Sequence, residues 1–304
     1  MNVLFVTLVA IDSIEDRGIY QDLLRQFRDH GHTVTVVTPV ERRRKISTNC
    51  QIRDGVSILQ VRTFNITQSS MIEKGIGTMA IEYQYLSAIK QHLIGNKFDL
   101  VLYSTPPITF VKVIKYIKKR DRAYSYLLLK DIFPQNAVDM KMIRRGGLLH
   151  RLFEKKEKEL YRISDTIGCM SPANVDFILK HHPEVEATKV EVNPNSIEPI
   201  EINYSPSELT VIRQKYGLPL DKVIFVYGGN LGRPQGLDFL LEVVESTTND
   251  QAYFLIVGDG TEFLKIKKWF EKVCISCNNA SKDYGEYDST GWFECSESER
   301  LGNL

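Results

Sequence analysis

Long hydrophobic runs are absent from this chain: no stretch approaches the ~18 consecutive apolar residues of a membrane-spanning helix, so no span is expected. An excess of one charge is absent as well. Thirty-nine Lys and Arg against 38 Asp and Glu leave a net charge of +1. There is no global cationic surplus to displace counterions from phosphates, which excludes bulk nucleic-acid binding. Cysteine is sparse, five residues that are widely spaced and make no disulfide framework. Cys274 and Cys277 form a C-x-x-C pair, but no second pair and no nearby His completes a tetrahedral zinc site, so they read as reduced thiols and no metal is expected. His150, His181 and His182 also lack a partner at ligand spacing and read as structural or exposed. The opening MNVLFVTLVAI has no cationic start and runs into Asp12, Glu15 and Asp16 without a small-residue cleavage pattern. It reads as the first buried strand of a cytoplasmic protein.

What the sequence does contain is alternation. Its 304 residues suit two domains, and strand-like and helix-like segments follow one another as in a parallel sheet with helices on its faces. Strands are expected at 3–8, 33–38, 56–61, 100–103, 124–129, 166–170 and 190–192. A helix ending at Gly31 carries Tyr20, Leu23, Leu24 and Phe27 on one face. A longer one over 72–93 places Ile76, Met79, Tyr83, Leu86, Ile89 and Leu93 on its buried side. Glu41 to Lys45 reads as a solvated charge run. Pro194, Pro199 and Pro206, with Asn195, Ser196 and Asn203, form an aperiodic connector, which places a boundary near residue 198. Residues 1–198 are then one Rossmann-like domain and 199–272 part of a second. The tail 273–304 has neither helix nor strand period, and only Trp292 and Phe293 could anchor it.

The chain is organised around Val223 to Gly236, VIFVYGGNLGRPQG. A β-branched and aromatic run, the pattern of a buried parallel strand, breaks into Gly228, Gly229 and Gly232, and Leu237, Leu240, Leu241 and Val244 then recur at helical spacing. Glycine lets a ligand approach the backbone, and the N-terminal N–H groups of the next helix favour an anion there, most simply a diphosphate. Arg233 can add a bidentate contact to phosphate oxygens. A second strand, Tyr253 to Val257, ends in Gly258-Asp259-Gly260, so two glycine loops would share one sheet edge. The plain alternative is a pair of tight turns with no ligand.

In the first domain, Ser104-Thr105-Pro106-Pro107 ends one strand, and Lys130-Asp131-Ile132-Phe133-Pro134-Gln135-Asn136 ends another at the edge where open parallel sheets bind ligands. Asp131 is a candidate site residue there or, equally, a helix or turn cap. From 140 to 163, Leu149, Leu152, Phe153, Leu160 and Ile163 alternate with Arg144, Arg145, Arg151, Lys155, Lys156 and Lys158. This basic amphipathic stretch suits either an ordinary surface helix or contact with anionic lipid headgroups.

Taken with Arg17-Gly18-Ile19-Tyr20, Asp131 to Asn136, Asn193-Pro194-Asn195-Ser196-Ile197, Gly228 to Gly236 and Val257-Gly258-Asp259-Gly260, the chain over about residues 1 to 272 resembles the retaining glycosyltransferases of GT-B fold. More narrowly, it is similar to bacterial surface-polysaccharide N-acetylfucosamine transferases. The resemblance implies an acceptor-binding N-terminal domain and a C-terminal domain that binds a nucleotide-sugar, here expected to be a UDP-sugar, as substrate and with no cofactor. It implies that Gly229, Asn230 and Arg233 face the donor diphosphate, that the Gly258-Asp259-Gly260 loop lies beside them, and that Gly18 and Asp131 lie on the acceptor side. Asp131 and Arg233 are the catalytic candidates. A lipid-linked saccharide acceptor, in polysaccharide or O-antigen synthesis, would explain the basic stretch and a peripheral place at the inner face of the plasma membrane. The chemistry would need no metal, since the helix terminus and Arg233 would stabilise the diphosphate, and no Asp-x-Asp is present.

Two positions depart from the pattern. The family commonly sets a lysine near the loop arginine, where Gln235 and Leu237 stand here. It also sets two glutamates eight apart in a helix before a G-x-P-V strand; Glu286 and Glu294 have that spacing, but Gly291 interrupts and no G-x-P-V follows, so the match reads as accidental. The donor domain is accordingly expected to be incomplete, through truncation or a frame shift. Two rival readings follow: a catalytically inactive remnant that binds without turnover, and a nicotinamide-dependent dehydrogenase. The loop G-G-x-x-G, in place of G-x-G-x-x-G, argues against the dehydrogenase.

Overall fold

In a computed structural model, residues 1–65, 71–201, 203–273 and 291–296 are described. The chain divides into two compact units, Met1–Pro199 and Ile200–Leu304. Unit 1 is built on one eight-stranded sheet: β1 (Asn2–Val6), β2 (Thr33–Glu41), β3 (Asn49–Arg53), β4 (Val56–Thr63), β5 (Leu100–Ser104), β6 (Tyr124–Leu129), β7 (Thr166–Cys169) and β8 (Val190–Val192). Their order is β3-β4-β2-β1-β5-β6-β7-β8. All neighbours pair parallel except β3 and β4, an antiparallel hairpin closed at Asp54-Gly55 with both residues at positive φ. The short, polar β3 escaped the sequence reading because its side chains cover nothing: every residue is half-buried or exposed.

Strand alternation explains why the sheet is buried on both faces. Val3 and Phe5 of β1 join Val34, Val36, Ile58, Leu102 and Leu128 on the face covered by α1 (Ile19–Asp29). Leu4 and Val6 join Val37, Leu59, Tyr103 and Leu127 on the opposite face, under α2 (Met71–His92), α3 (Val111–Asp121) and α5 (Leu148–Ile163). The short α4 (Gln135–Asp139) precedes α5, and α6 (Pro172–His181) lies between β7 and β8. Glu82 ties three helices together. It is 3% exposed, its Oε1 accepts the Lys112 backbone N–H in the first turn of α3 at 2.6 Å, and its Oε2 lies 3.4 Å from Lys156 Nζ.

Leu86 and Ile89 of α2, with Leu93 just after it, pack on the core as expected, and Tyr83 is the exception. Tyr83 is 59% exposed and packs under the Lys112 ammonium, 4.0 Å from the ring centroid. Ile81, Tyr85, Ala88 and Ile89 turn inward, with the Tyr85 hydroxyl donating to the Thr7 carbonyl at 2.8 Å. Two tyrosines two apart both fit a helical period, and only the buried acceptor at Thr7 selects between them. Ile76 and Met79 lie outside the residues whose side chains are described.

Unit 2 has a three-stranded sheet of β9 (Val223–Gly228), β10 (Ala252–Gly258) and β11 (Gly291–Ser296), in the order β11-β10-β9. It also has α7 (Pro206–Lys215), α8 (Leu237–Ser246) and α9 (Phe263–Val273). β9 and β10 are parallel as expected. Two expectations are corrected. Among the described residues β9 is an edge strand paired with β10, and Val223, Phe225 and Val226 are more than half exposed. The tail is not wholly without structure, since Gly291–Ser296, including Trp292 and Phe293, pairs antiparallel with β10. Backbone pairing with β10 supplies what the aperiodic sequence did not signal. Cys274, Cys277 and Glu286 lie outside the described residues, and Glu294 sits in β11.

His182, read from sequence only as lacking a metal partner, is buried against α5. Its Nε2 lies 3.7 Å from Glu157 Oε2, while the Tyr161 hydroxyl donates to Glu157 Oε1 at 3.0 Å. Glu154, Lys158 and Glu184 are the other charged groups close to this carboxyl. Burial pushes Glu157 up to about 8, and the Tyr161 hydroxyl only partly offsets it. The folded state therefore holds a proton that the unfolded chain releases. The stability this contributes is complete below the ordinary carboxylate value and is lost as the pH rises through about 8. Replacing Glu157 by Gln is expected to remove that dependence, so that the urea midpoints of the two proteins diverge in favour of the variant from about pH 5 to about pH 8.5. Parallel midpoint profiles would contradict an uncharged Glu157.

Candidate functional site

Each unit gathers its candidate residues where its parallel strands end. In unit 1 the sheet order reverses between β1 and β5, the switch point at which open α/β sheets leave a crevice. The loop after β1 leads to Gly18, the N-cap of α1, where an added Cβ would lie 2.5 Å from Gln21 Oε1. Asp22, one turn later, accepts the Gly18 N–H at 3.4 Å and the Glu198 N–H at 2.8 Å. Arg25 clasps both carboxylates, at 2.5 Å from Asp22 Oδ1 and 3.0 Å from Glu198 Oε2. The Glu198 N–H is the foremost reason that Asp22 is held below the usual carboxylate range. The end of the proline connector is thus fastened to the helix that carries Gly18.

Beyond β5, Ser104 and Thr105 are buried. The Thr105 hydroxyl oxygen accepts the N–H groups of Lys130 and Asp131 at 3.1 and 3.3 Å and donates to the Asp131 carbonyl at 3.2 Å, which fixes the turn after β6. Asp131 does not cap α4, whose N-cap is Pro134 with no side-chain hydrogen bond. Its side chain is solvent-accessible, yet partial desolvation raises its carboxyl and lowers the neighbouring Lys130 ammonium. Tyr20, buried against Phe5 with ring centroids 5.1 Å apart, lies close enough to feel both Ser104 and Asp131; burial is the first cause of its raised phenol, and Asp131 adds to it.

In unit 2 the two glycine loops are knitted backbone to backbone. Gly229 N–H donates to Val257 O at 3.0 Å, Leu231 N–H to Asp259 O at 2.8 Å, and Glu262 N–H to Leu231 O at 2.8 Å. A Cβ on Gly258 would lie 1.9 Å from the Gly229 carbonyl oxygen, and one on Gly260 would lie 2.5 Å from Leu231 O, so these positions require glycine on contact grounds alone. Leu231, fully buried, plugs the space beneath. By contrast, a Cβ on Gly228 or Gly229 would meet nothing within 4 Å, leaving open room above the loop. The Asn230 side chain lies against Gly232 and Gly260, while the Asn230 backbone carbonyl accepts the Tyr227 hydroxyl at 3.1 Å. Asp259 Oδ1 accepts the Gly260 N–H at 2.7 Å.

Arg233 starts a single 3₁₀ turn that ends at Gly236 in the left-handed conformation (φ 63°), and α8 begins there without a side-chain cap. The Arg233 side chain is 80% exposed, with Nε 3.6 Å from Glu262 Oε1. Glu262, just before α9, and Lys265, in its first turn, carry no loop pattern in the sequence; the crossing of the two loops brings Glu262 to Arg233, and Lys265 pairs with the same carboxylate. Among the described residues no group of three or more His, Cys, Asp and Glu side chains could hold a metal ion. A cavity of about 340 Å³ lined by Thr48, Arg62, Gln84 and Ser87 shares no residue with either cluster.

Two units of parallel α/β architecture, each with βα loops gathered at one sheet edge, define the class. No protein-family model matches the chain. It is 22% identical over 196 residues to the probable glycosyltransferase WbjE of Pseudomonas aeruginosa, covering 63% of this chain and 47% of that protein. It is 38% identical over 97 residues to the putative teichuronic acid biosynthesis glycosyltransferase TuaC of Bacillus subtilis, covering 30% and 25%. The chain thus spans about half of WbjE and less of TuaC. Among solved structures it superposes on the E. coli trehalose-6-phosphate protein bound with UDP-2-fluoro glucose at a TM-score of 0.61 and 10% identity, covering 88% of this chain and 68% of that one. The fold is that of the GT-B glycosyltransferases, and both sequence relatives bear glycosyltransferase names, that of TuaC in teichuronic acid biosynthesis.

The knitted loops give a direct test of the local structure. Gly258→Ala is expected to cost unit 2 about 2 kcal/mol or more through the clash with the Gly229 carbonyl, whereas Gly228→Ala is tolerated. Both tryptophans, Trp269 and Trp292, lie in unit 2, so intrinsic tryptophan fluorescence on heating reports this unit alone. Equal melting of the two variants would contradict the packing described.

Proposed function

We propose that this chain is a glycosyltransferase module that takes a nucleotide-sugar, UDP-linked, and passes the sugar to a lipid-linked saccharide acceptor in surface-polysaccharide synthesis. One observation carries the reading: two glycine loops locked together with open space over Gly228 and Gly229 and a single, highly exposed arginine at their lip. Backbone N–H groups and an exposed guanidinium suit a diphosphate, and the E. coli structure of the same fold was solved with a UDP-sugar analogue. The likeness to TuaC, whose name gives teichuronic acid biosynthesis, supports a role in polysaccharide synthesis. The narrower likeness to N-acetylfucosamine transferases is an expectation about the donor sugar.

In this reading the residues divide the work. Gly229, Asn230 and Arg233, with Gly258, Asp259 and Gly260, hold the diphosphate and stabilise the charge that develops as the sugar leaves, without a metal. The acceptor hydroxyl attacks the face from which the diphosphate departs, and configuration is retained. Asp131, desolvated but reachable, serves the acceptor side and takes up the hydroxyl proton when ionised. Gly18 shapes the backbone at the start of α1 beside it.

The same proposal accounts for the surface of the segment leading into α5 and of its first turns. Met142, Leu148, Leu149 and Leu152 are exposed, between exposed Arg144, Arg145, Arg151 and Lys155. Apolar side chains ringed by cations fit the boundary of an anionic bilayer. Among the described residues no helix is long and apolar enough to cross it.

A panel of UDP- and GDP-sugars, read as release of nucleoside diphosphate, tests the donor assignment. Arg233→Ala is expected to lower kcat/KM about a hundredfold, and no turnover with any donor would leave the rival reading of a catalytically inactive remnant or binding protein. Because the Asp131 carboxyl is raised, the acid limb of the kcat/KM profile should lie above the ordinary carboxylate range and disappear in Asp131→Asn. Co-sedimentation with anionic liposomes should fall several-fold when Arg144, Arg145 and Arg151 are replaced by Gln; unchanged binding would remove the membrane part.

A further inference from the structure

The sequence leaves the glycine loop with one cation, since Gln235 and Leu237 stand where a lysine would be expected. The structure brings another from a different helix. Glu262, immediately before α9, has a side chain only 17% exposed and is anchored through its N–H to Leu231 O in the first loop at 2.8 Å. Its carboxylate is shared: Oε1 lies 3.6 Å from Arg233 Nε, and Oε2 lies 3.3 Å from Lys265 Nζ. Lys265 also donates to Asp238 Oδ1, in the first turn of α8, at 2.5 Å, and this bond is the first cause of its raised ammonium. Two cations from two elements thus converge on one carboxylate beside the crossing of the glycine loops.

We propose that Lys265 is a second phosphate-binding residue of the donor loop, and that Glu262 occupies the place between Lys265 and Arg233 that a diphosphate takes on binding. The inference rests on the donor reading given above and goes beyond it in naming the residues that complete the anion site. A carboxylate and a phosphate present the same kind of oxygen to a guanidinium or an ammonium, and Arg233, Lys265 and Asp238 are all about half exposed or more, so their pairs are weak and exchange readily. The lysine adds a compact charge that the arginine fork does not supply. Its position in the first turn of α9 explains why no spacing rule within the loop finds it.

The full chain serves for the test, with UDP and inorganic pyrophosphate as ligands and uridine as the control, read by titration calorimetry. Arg233→Ala is expected to weaken UDP and pyrophosphate at least tenfold and Lys265→Ala about fivefold, with uridine unaffected by either. Glu262→Gln, which removes the competing charge and keeps the shape, should tighten both anions two- to threefold. If Lys265→Ala and Glu262→Gln bind UDP and pyrophosphate like the parent while Arg233→Ala does not, the lysine assignment is overturned and the donor reading stands. If Arg233→Ala is also without effect, or the parent binds neither anion, both fall. Should Lys265→Ala melt early, Lys265→Gln and Glu262→Gln decide the matter at matched melting temperature.

Discussion

Parallel strand pairing is the constraint on which the rest depends. Parallel neighbours must be joined by crossovers, so every βα turn of a sheet opens at the same edge. In unit 1 this sets the loop after β1, the Ser104-Thr105 turn and the Asp131 turn side by side, although they are far apart in sequence. In unit 2 it presses the turn after β9 against the turn after β10, closely enough that Gly258 can carry no side chain. Chemistry then follows from position. Groups at such an edge are half out of the core, where desolvation shifts Asp131 and Lys130 in opposite senses while leaving both reachable from solvent.

Charge in the two units is handled by opposite means. Unit 1 pairs its cations away: Lys115 contacts Glu159, Lys118 donates to Asp165 and to the Ile163 carbonyl, and Arg25 spans Asp22 and Glu198. Lys115 and Lys118 of α3 are therefore both paired with carboxylates on α5 or just beyond it. The approach to α5 and its first turns are different, since Arg144, Arg145 and Arg151 lie close in sequence to the exposed Leu148, Leu149 and Leu152. Unit 2 leaves Arg233 almost fully exposed and only loosely paired, which suits a group whose partner arrives from solution.

The strand ladder of unit 1 was readable because buried parallel strands are short and rich in β-branched, aromatic and aliphatic residues, so the runs at 33–38, 100–103 and 124–129 announce themselves. The polar β3 and the tail strand β11 were not, because both are held by backbone pairing that carries no side-chain signal. Tyr83 against Tyr85 shows a related limit, a helical period that fits two faces until a buried acceptor chooses one. The candidate residues divide the same way. Gly228, Gly229, Gly258, Gly260 and Arg233 stand out as a loop pattern, but that Gly258 and Gly260 are required by contact with the other loop, and that Glu262 and Lys265 join Arg233, is invisible without the crossing.

The order of local residues by itself determined the alternation of strands and helices, the two-part division and the glycine turns, because these depend on hydrophobic period and backbone freedom within a few residues. Tertiary structure alone decided which carboxylates are buried, which cations are neutralised and which side chains meet at a strand edge. Burial and ion pairing are set by neighbours tens to hundreds of residues away, such as Glu198 on Asp22 and Glu262 on Arg233, and no short window of sequence contains both partners.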